Sequence, residues 1–309
     1  MDRRSFVRKS IILGAATGTL VGLGKVTPVF AGASSTRKGN FDLVAVRGEN
    51  IVAVFERAMS EMGGMGRWVR RGQTVVVKPN IAFDVPPERA ANTNPLLVGA
   101  VVRHCLRAGA SRVIVFDHTV DHWERAYANS GIQQAVIDAG GQMVPGNFEA
   151  SYVDVTIPGG RRLNTAKVHR QIIDADVFIN VPVLKHHGGT QVTIAMKNLM
   201  GIVWDRRFWH RNDLHQCIAD FCLYRVPDLN IVDAFLVMTQ NGPRGVSTAD
   251  LVRKNSVLIS QDAVAVDAAS TLLFGKEPDQ IGHIRLGGEM NIGTVDLSGL
   301  RIQRINMAS

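Results

Sequence analysis

Four apolar runs in this sequence end in side chains that carry charge or amide groups. Residues 74–77 give way to Lys78, Pro79 and Asn80, and residues 112–116 to Asp117 and His118. Residues 177–179 lead to Asn180 and then Lys185, His186 and His187; residues 230–232 lead to Asp233, with Asn241, Gly242 and Pro243 beyond. A further stretch, 193–201, contains Thr193, Lys197 and Asn198; read as a helix, it puts Thr193 and Lys197 on one face and turns Met196 and Met200 to the core. Three ammonium groups, Lys78, Lys185 and Lys197, could form the cationic floor of a pocket for an anionic small molecule or cofactor. Asn80, Asn94, Asn180, Thr193, Asn198 and Asn241 would orient it through hydrogen bonds. Asp117, His118 and His186 are the candidates for proton transfer. A lysine so placed acts as a fixed cation or, once desolvated, as a base or imine-forming amine. Each lysine taken alone is equally compatible with solvation or with pairing to a carboxylate such as Asp117.

A metal ion is a third reading. His186 and His187 are neighbours and point to opposite sides of an extended chain, so only one of them could join Asp117 and His118 around an ion. His210 and His215, five apart, match no ligand set. The aromatic and basic stretch 204–210 reads better as a cap over the pocket.

The surrounding pattern says how such groups would be positioned. Short β-branched runs alternate with segments of helical period, as in a parallel sheet with crossover helices. Strands are expected at 42–46, 74–77, 112–116, 177–181, 230–232 and 256–260, the later ones each followed by a helix. Asn50 opens a helix with Val52, Phe55, Met59 and Met62 on its buried stripe, and Asn94 with Pro95 opens the next, which stops at Gly109. One helix is expected over 124–139, and the alternation over 152–157 followed by Gly159 and Gly160 reads as a small antiparallel hairpin. The expected fold is therefore α/β, doubly wound, with a mostly parallel sheet, helices on both faces and a small antiparallel insertion. In such sheets ligands lie beyond the carboxyl ends of the strands.

Several chemistries lose ground. The sequence has no Gly-x-Gly-x-x-Gly after a strand, no Gly-Lys-Ser/Thr phosphate loop and no Gly-x-Ser-x-Gly elbow. Its three cysteines, Cys105, Cys217 and Cys222, lack iron–sulfur spacing and read as buried thiols, so no iron–sulfur cluster is expected and the identity of any cofactor stays open.

The first residues, Arg3, Arg4, Ser5, Phe6, Val7, Arg8 and Lys9, precede a mildly apolar run over 11–23 and small residues at Ala31, Gly32 and Ala33. This is the pattern of a twin-arginine signal over 1–33, cleaved after Ala33, leaving 34–309 as a single α/β domain in the periplasm or otherwise exported. The apolar run is 13 residues, short of the roughly 20 a membrane span needs, so no stable membrane insertion is expected after cleavage. Without the signal the net charge falls from +8 to +4. The remaining basic residues are scattered, so nucleic acid is not an expected partner.

These pieces together resemble the family known as domain of unknown function 362. The resemblance rests on Val77-Lys78-Pro79-Asn80, Asn94-Pro95, the run from Asn180 to His187, the run from Met196 to Gly201, Asn241-Gly242-Pro243, and Ser260-Gln261-Asp262 with Asp267, spread over roughly residues 40 to 305. The family has no established general reaction. Members often carry ferredoxin-like cysteine clusters and are associated with redox roles; this chain lacks such a cluster. The resemblance and the export pattern together imply an exported binding protein or a redox-linked enzyme that meets the twin-arginine translocase. The alternative is a non-catalytic factor delivering a cofactor to a partner oxidoreductase, with residues 204–210 as its contact surface.

Overall fold

The computed structural model describes residues 40–307; the segment expected to direct export lies outside the described residues. Among the described residues twelve strands occur in the order β1 (Leu43–Arg47), β2 (Thr74–Pro79), β3 (Arg112–Val115), β4 (Gln142–Met143), β5 (Tyr152–Thr156), β6 (Thr165–His169), β7 (Val177–Val181), β8 (Val183–His187), β9 (Gln191–Thr193), β10 (Leu229–Met238), β11 (Leu251–Ser260) and β12 (Ile302–Asn306). The helices are α1 (Ile51–Glu61), α2 (Pro95–Arg107), α3 (Trp123–Asn129), α4 (Ile132–Asp138), α5 (Arg170–Asp174), α6 (Ala195–Asn198), α7 (Arg206–Arg211), α8 (Leu214–Phe221), α9 (Ala263–Phe274) and α10 (Gly282–Glu289).

Ten strands form one sheet in the order β12-β1-β11-β10-β7-β2-β3-β4, with β8 beside β10 and β9 beside β8. The pairs along β10-β7-β2-β3-β4 are parallel, whereas β11 runs antiparallel to both β1 and β10. Strands β5 and β6 form the separate antiparallel pair. The expected mixed α/β class, mostly parallel sheet and small antiparallel insertion are all present.

Alternation along the strands sends side chains to two cores. Val76, Ile114, Phe178 and Val232 pack with residues of α6, α8, α9 and α10; Val75, Val77, Ile179 and Ile231 pack with α1, α2 and α4. Both faces are thus covered, which is why the central strands read as continuous apolar runs. The Asn50 side chain accepts from Val52 N and Ala53 N to start α1, and Asn94 accepts from Leu96 N to start α2 with Pro95 in its first turn. Among the described residues no helix is long and apolar enough to cross a membrane.

Four local expectations are corrected. The helix over 124–139 is two, α3 and α4, because Gly131 adopts a left-handed conformation at φ 72° between them. The buried face of α1 is set by Ile51, Val54, Phe55, Ala58 and Met59, one step round from a stripe through Val52. Strand β10 extends ten residues and turns back into β11 instead of entering a helix, since the apolar run continues to Met238 and gives β11 a partner. Thr193 ends β9 and is not helical; α6 begins at Ala195 and passes at Leu199 into a turn of 3₁₀ helix.

Candidate functional site

Lys78, Asn180, Asn230 and Ser260 lie in register across β2, β7, β10 and β11. Two residues before each of the first two come Val76 and Phe178, which face the α8–α9 side, so Lys78 and Asn180 extend that face beyond the apolar core. On this side α9 fixes α6: the Asp267 carboxylate accepts from Ala195 N at 2.7 Å and from Met196 N at 3.0 Å. Burial pushes the Asp267 carboxyl up to about 8, while those two N–H donors pull the other way. The turn held in this manner presents Lys197 and Asn198.

A row of amides then runs toward the lysines. Asn230 donates to the main-chain carbonyls of Ser260 and Gln261 and accepts from Asn180 at 3.0 Å. Asn180 accepts from Asn198 at 2.8 Å; Asn198 Oδ1 accepts from Asn80 Nδ2 at 2.9 Å; Asn80 Oδ1 accepts from Lys185 Nζ at 3.1 Å. Every amide oxygen in the row points toward the lysine end. An ammonium only donates, and the carbonyls at the far end only accept, so the two ends dictate the direction of the whole chain.

The three lysines are buried and held differently. Lys78 Nζ donates to Pro79 O at 2.6 Å and to Asn198 Oδ1 at 3.1 Å. It also lies 2.8 Å from Asp117 Oδ1, as an ion pair out of line for a hydrogen bond. Burial lowers its pKa and Asp117 partly restores it. Asp117 Oδ2 accepts from Ile81 N at 2.6 Å. Gly201 passes so close that a Cβ there would fall 1.8 Å from Asp117 Oδ1 and 2.6 Å from Lys78 Nζ, which is why that position holds no side chain. Lys185 donates to Asn80 Oδ1 and Ala91 O, with its ammonium 4.9 Å from the centre of the Phe83 ring. Lys197 has as its hydrogen-bond partner the Met200 thioether at 2.9 Å, a weak acceptor.

Burial pulls both Lys185 and Lys197 down to about 7, and neighbouring cations add to this: Lys197 and Lys78 act on Lys185, Arg206 and Lys78 on Lys197. The acceptors differ, however. Two carbonyl oxygens and an aromatic face favour the ammonium at Lys185, whereas a single sulfur does little for it at Lys197. The surroundings therefore support the ammonium less at Lys197 than at Lys185.

Helix α7 closes the hollow. Asp205 caps it by accepting from Phe208 N, and the Arg206 guanidinium donates to His118 O at 2.7 Å and Thr119 O at 2.9 Å. Arg206, Arg207 and His210 thereby join Lys78, Lys185 and Lys197 around a cavity of about 330 Å³, with Asp117 the single carboxylate lining it among the described residues. That volume is in the range of small-molecule sites. The Thr193 hydroxyl, buried in the wall, has no hydrogen-bond partner among the described residues.

Of the residues singled out from the sequence, Lys78, Asn80, Asp117, Lys185, Thr193, Lys197 and Asn198 meet in this hollow. Asn180 lies beneath it as part of the amide row. The others are elsewhere. Asn94 caps α2, and its main-chain N–H is held by Asp233. The Asn241 amide is taken up by Asp250 at 3.0 Å. His118 turns Nδ1 to Val203 O, stacks on Trp204 with ring centroids 4.8 Å apart, and lines a neighbouring groove of about 910 Å³. Burial lowers its pKa to about 4. His186 accepts from Gly242 N and does not line the hollow.

His187 does line it, because β8 alternates and Lys185 already faces inward; the step of two that selects His187 was readable in the sequence. Burial and the adjacent lysines push His187 down to about 3. Arg206, Arg207 and His210 were legible only as members of a capping stretch. A metal set from Asp117, His118 and either of His186 or His187 is not assembled; among the described residues no three His, Cys, Asp or Glu side chains gather as a metal site requires. Cys105, Cys217 and Cys222 are buried free thiols.

The fold and this hollow define a doubly wound α/β protein with buried cations at the carboxyl ends of its parallel strands. The domain of unknown function family DUF362 matches residues 75–271, which contain every side chain of the hollow, and the chain belongs to that family. Thylakoid-associated protein sll1697 of Synechocystis sp. (strain ATCC 27184 / PCC 6803 / Kazusa) is 26% identical over 249 residues, spanning 75% of this chain and 72% of that protein. Among solved structures, the lactate racemase apoprotein from Thermoanaerobacterium thermosaccharolyticum aligns at 11% identity with a TM-score of 0.45, covering 74% of this chain. A protein from Thermotoga maritima aligns at 10% identity and 0.44, covering 77%. This chain spans 57% of each of those two chains.

Proposed function

We propose that the hollow beneath α7 binds a small organic anion, a substrate or a cofactor carrying a carboxylate or phosphate group. One observation carries this reading: five lysine and arginine side chains line a cavity with a single carboxylate, and that carboxylate is engaged by Lys78. Among the described residues neither Lys185 nor Lys197 forms an ion pair with a carboxylate, and burying a poorly compensated charge is unfavourable. An anion entering the hollow against Lys185 supplies the missing charge and restores the proton that burial weakens there. Asn80 and Asn198 hold the lysines in place. The expected export signal carries the proposal to a periplasmic or otherwise exported setting.

Oxalate, a compact dianion, is a suitable probe. Calorimetric titration of the native protein should give one site. Lys185→Met should weaken it by about 30- to 100-fold, the loss of a charged hydrogen bond, while the melting temperature stays within a few degrees of the native value, removal of a buried charge offsetting the acceptors left at Asn80 and Ala91. Equal affinity in the two proteins would remove Lys185 from the site and the anion reading with it.

A further inference from the structure

Among the buried lysines, Lys197 alone lacks any oxygen acceptor: its Nζ meets the Met200 sulfur, whereas Lys78 and Lys185 each donate to two oxygens. It faces a cavity wide enough for a small molecule, and the unpartnered Thr193 hydroxyl lines the same wall. We propose that Lys197 is a catalytic nucleophile that forms an imine with the carbonyl carbon of a small 2-oxo acid whose carboxylate lies against Lys185. This rests on the anion-binding reading and adds the substrate class and the reacting atom.

The step balances without an outside oxidant or reductant. The Lys197 nitrogen lone pair attacks the carbonyl carbon as the carbonyl π bond breaks, one nitrogen proton passes to the oxygen to give a carbinolamine, and the carbon–oxygen bond then breaks as the second nitrogen proton leaves with that oxygen as water, forming the carbon–nitrogen double bond. Only a free amine can attack, and burial with Arg206 and Lys78 nearby lowers Lys197 to about 7. The other groups facing the cavity are Lys185 and His187 from β8, Asp117 after β3, and Arg207 and His210 from α7. Of these only Asp117 is acidic, and it is engaged by Lys78. A solvated lysine near 10.4 is free in fewer than about one molecule in a thousand at pH 7, so the free-amine fraction of Lys197 should exceed that of a surface lysine by on the order of a thousandfold.

The test is reductive trapping of the native protein with glyoxylate or 2-oxobutyrate and cyanoborohydride at pH 7, followed by peptide mass mapping. The expected product is one adduct on Lys197 weighing the oxo acid less one oxygen atom. Its rate should rise with pH and level off above about 8, and it should be absent from Lys197→Arg. No adduct on Lys197 with either acid, or labelling spread over surface lysines at comparable rates, overturns the proposal. Oxalate titration of the same sample separates the two claims: binding without an adduct sinks the imine alone, and no oxalate binding sinks the anion reading itself.

Discussion

Replacing Lys197 by Met tests the desolvated amine without reference to any ligand. Lys197 ionises near 7 in the folded chain because burial and nearby cations disfavour its charge; in the unfolded chain it returns to about 10.4. Below pH 7 both states are protonated and the folded state bears the full cost of a buried, unpaired ammonium. Between 7 and about 10.4 the unfolded chain binds the proton and the folded one sheds it, so stability rises with pH. Each full proton difference contributes about 1.4 kcal/mol per pH unit, and with a folded value near 7 the gain from pH 7 to 9 is about 2 kcal/mol. Met fills nearly the same volume beside Met200 and carries no charge. The variant should therefore be the more stable protein at pH 7, and the wild type should recover about 2 kcal/mol of that gap by pH 9. Urea denaturation of both proteins at the two pH values measures this. Asp267, raised by burial to about 8, contributes a slope of opposite sign, but it is common to both proteins and cancels in the difference. A gap that does not change with pH, or a wild type more stable than the variant at pH 7, would refute the reasoning.

Gly201→Ala places a methyl group against Asp117 and Lys78; a loss of about 1–3 kcal/mol in urea denaturation is expected, with oxalate binding impaired. Asp267→Asn leaves at least one of the Ala195 and Met196 N–H groups without an acceptor, so a loss of about 1–3 kcal/mol is expected. Oxalate affinity should fall with it, because the turn bearing Lys197 loosens. Changing Arg3 and Arg4 together to Lys should hold the chain in the cytoplasm at its full length, whereas the unaltered chain should appear outside with a new N-terminus after Ala33; cell fractionation and N-terminal sequencing report this.

The strands were legible because β2, β3 and β7 are buried on both faces and consist of apolar runs bounded by polar residues, and the caps Asn50 and Asn94 announced their helices. The convergence of Lys78, Lys185 and Lys197 was legible as a consequence of topology: each follows, or packs beside, the carboxyl end of a central strand. What sequence position does not encode is how a side chain is already engaged. Asn94 and Asn241 look like free amides until α2 and Asp250 claim them. His186 and His187 differ only in the phase of β8, fixed by Lys185. Arg206 reaches the hollow because α7 folds back across the sheet and its guanidinium finds two carbonyls after β3, a long-range contact that no local pattern signals. The extension of β10 likewise depends on β11 returning beside it.

The central claim is that two buried lysines await an anion, and proton uptake on binding tests it most directly. Oxalate titrated calorimetrically into the protein at pH 7.5, in buffers of differing ionisation enthalpy, should show a heat that varies with the buffer and corresponds to net uptake of protons, because the anion lying against Lys185 raises it from about 7. The affinity should rise as pH falls toward 6.5. Binding with no proton uptake and no dependence on pH would contradict the account, as would the absence of binding.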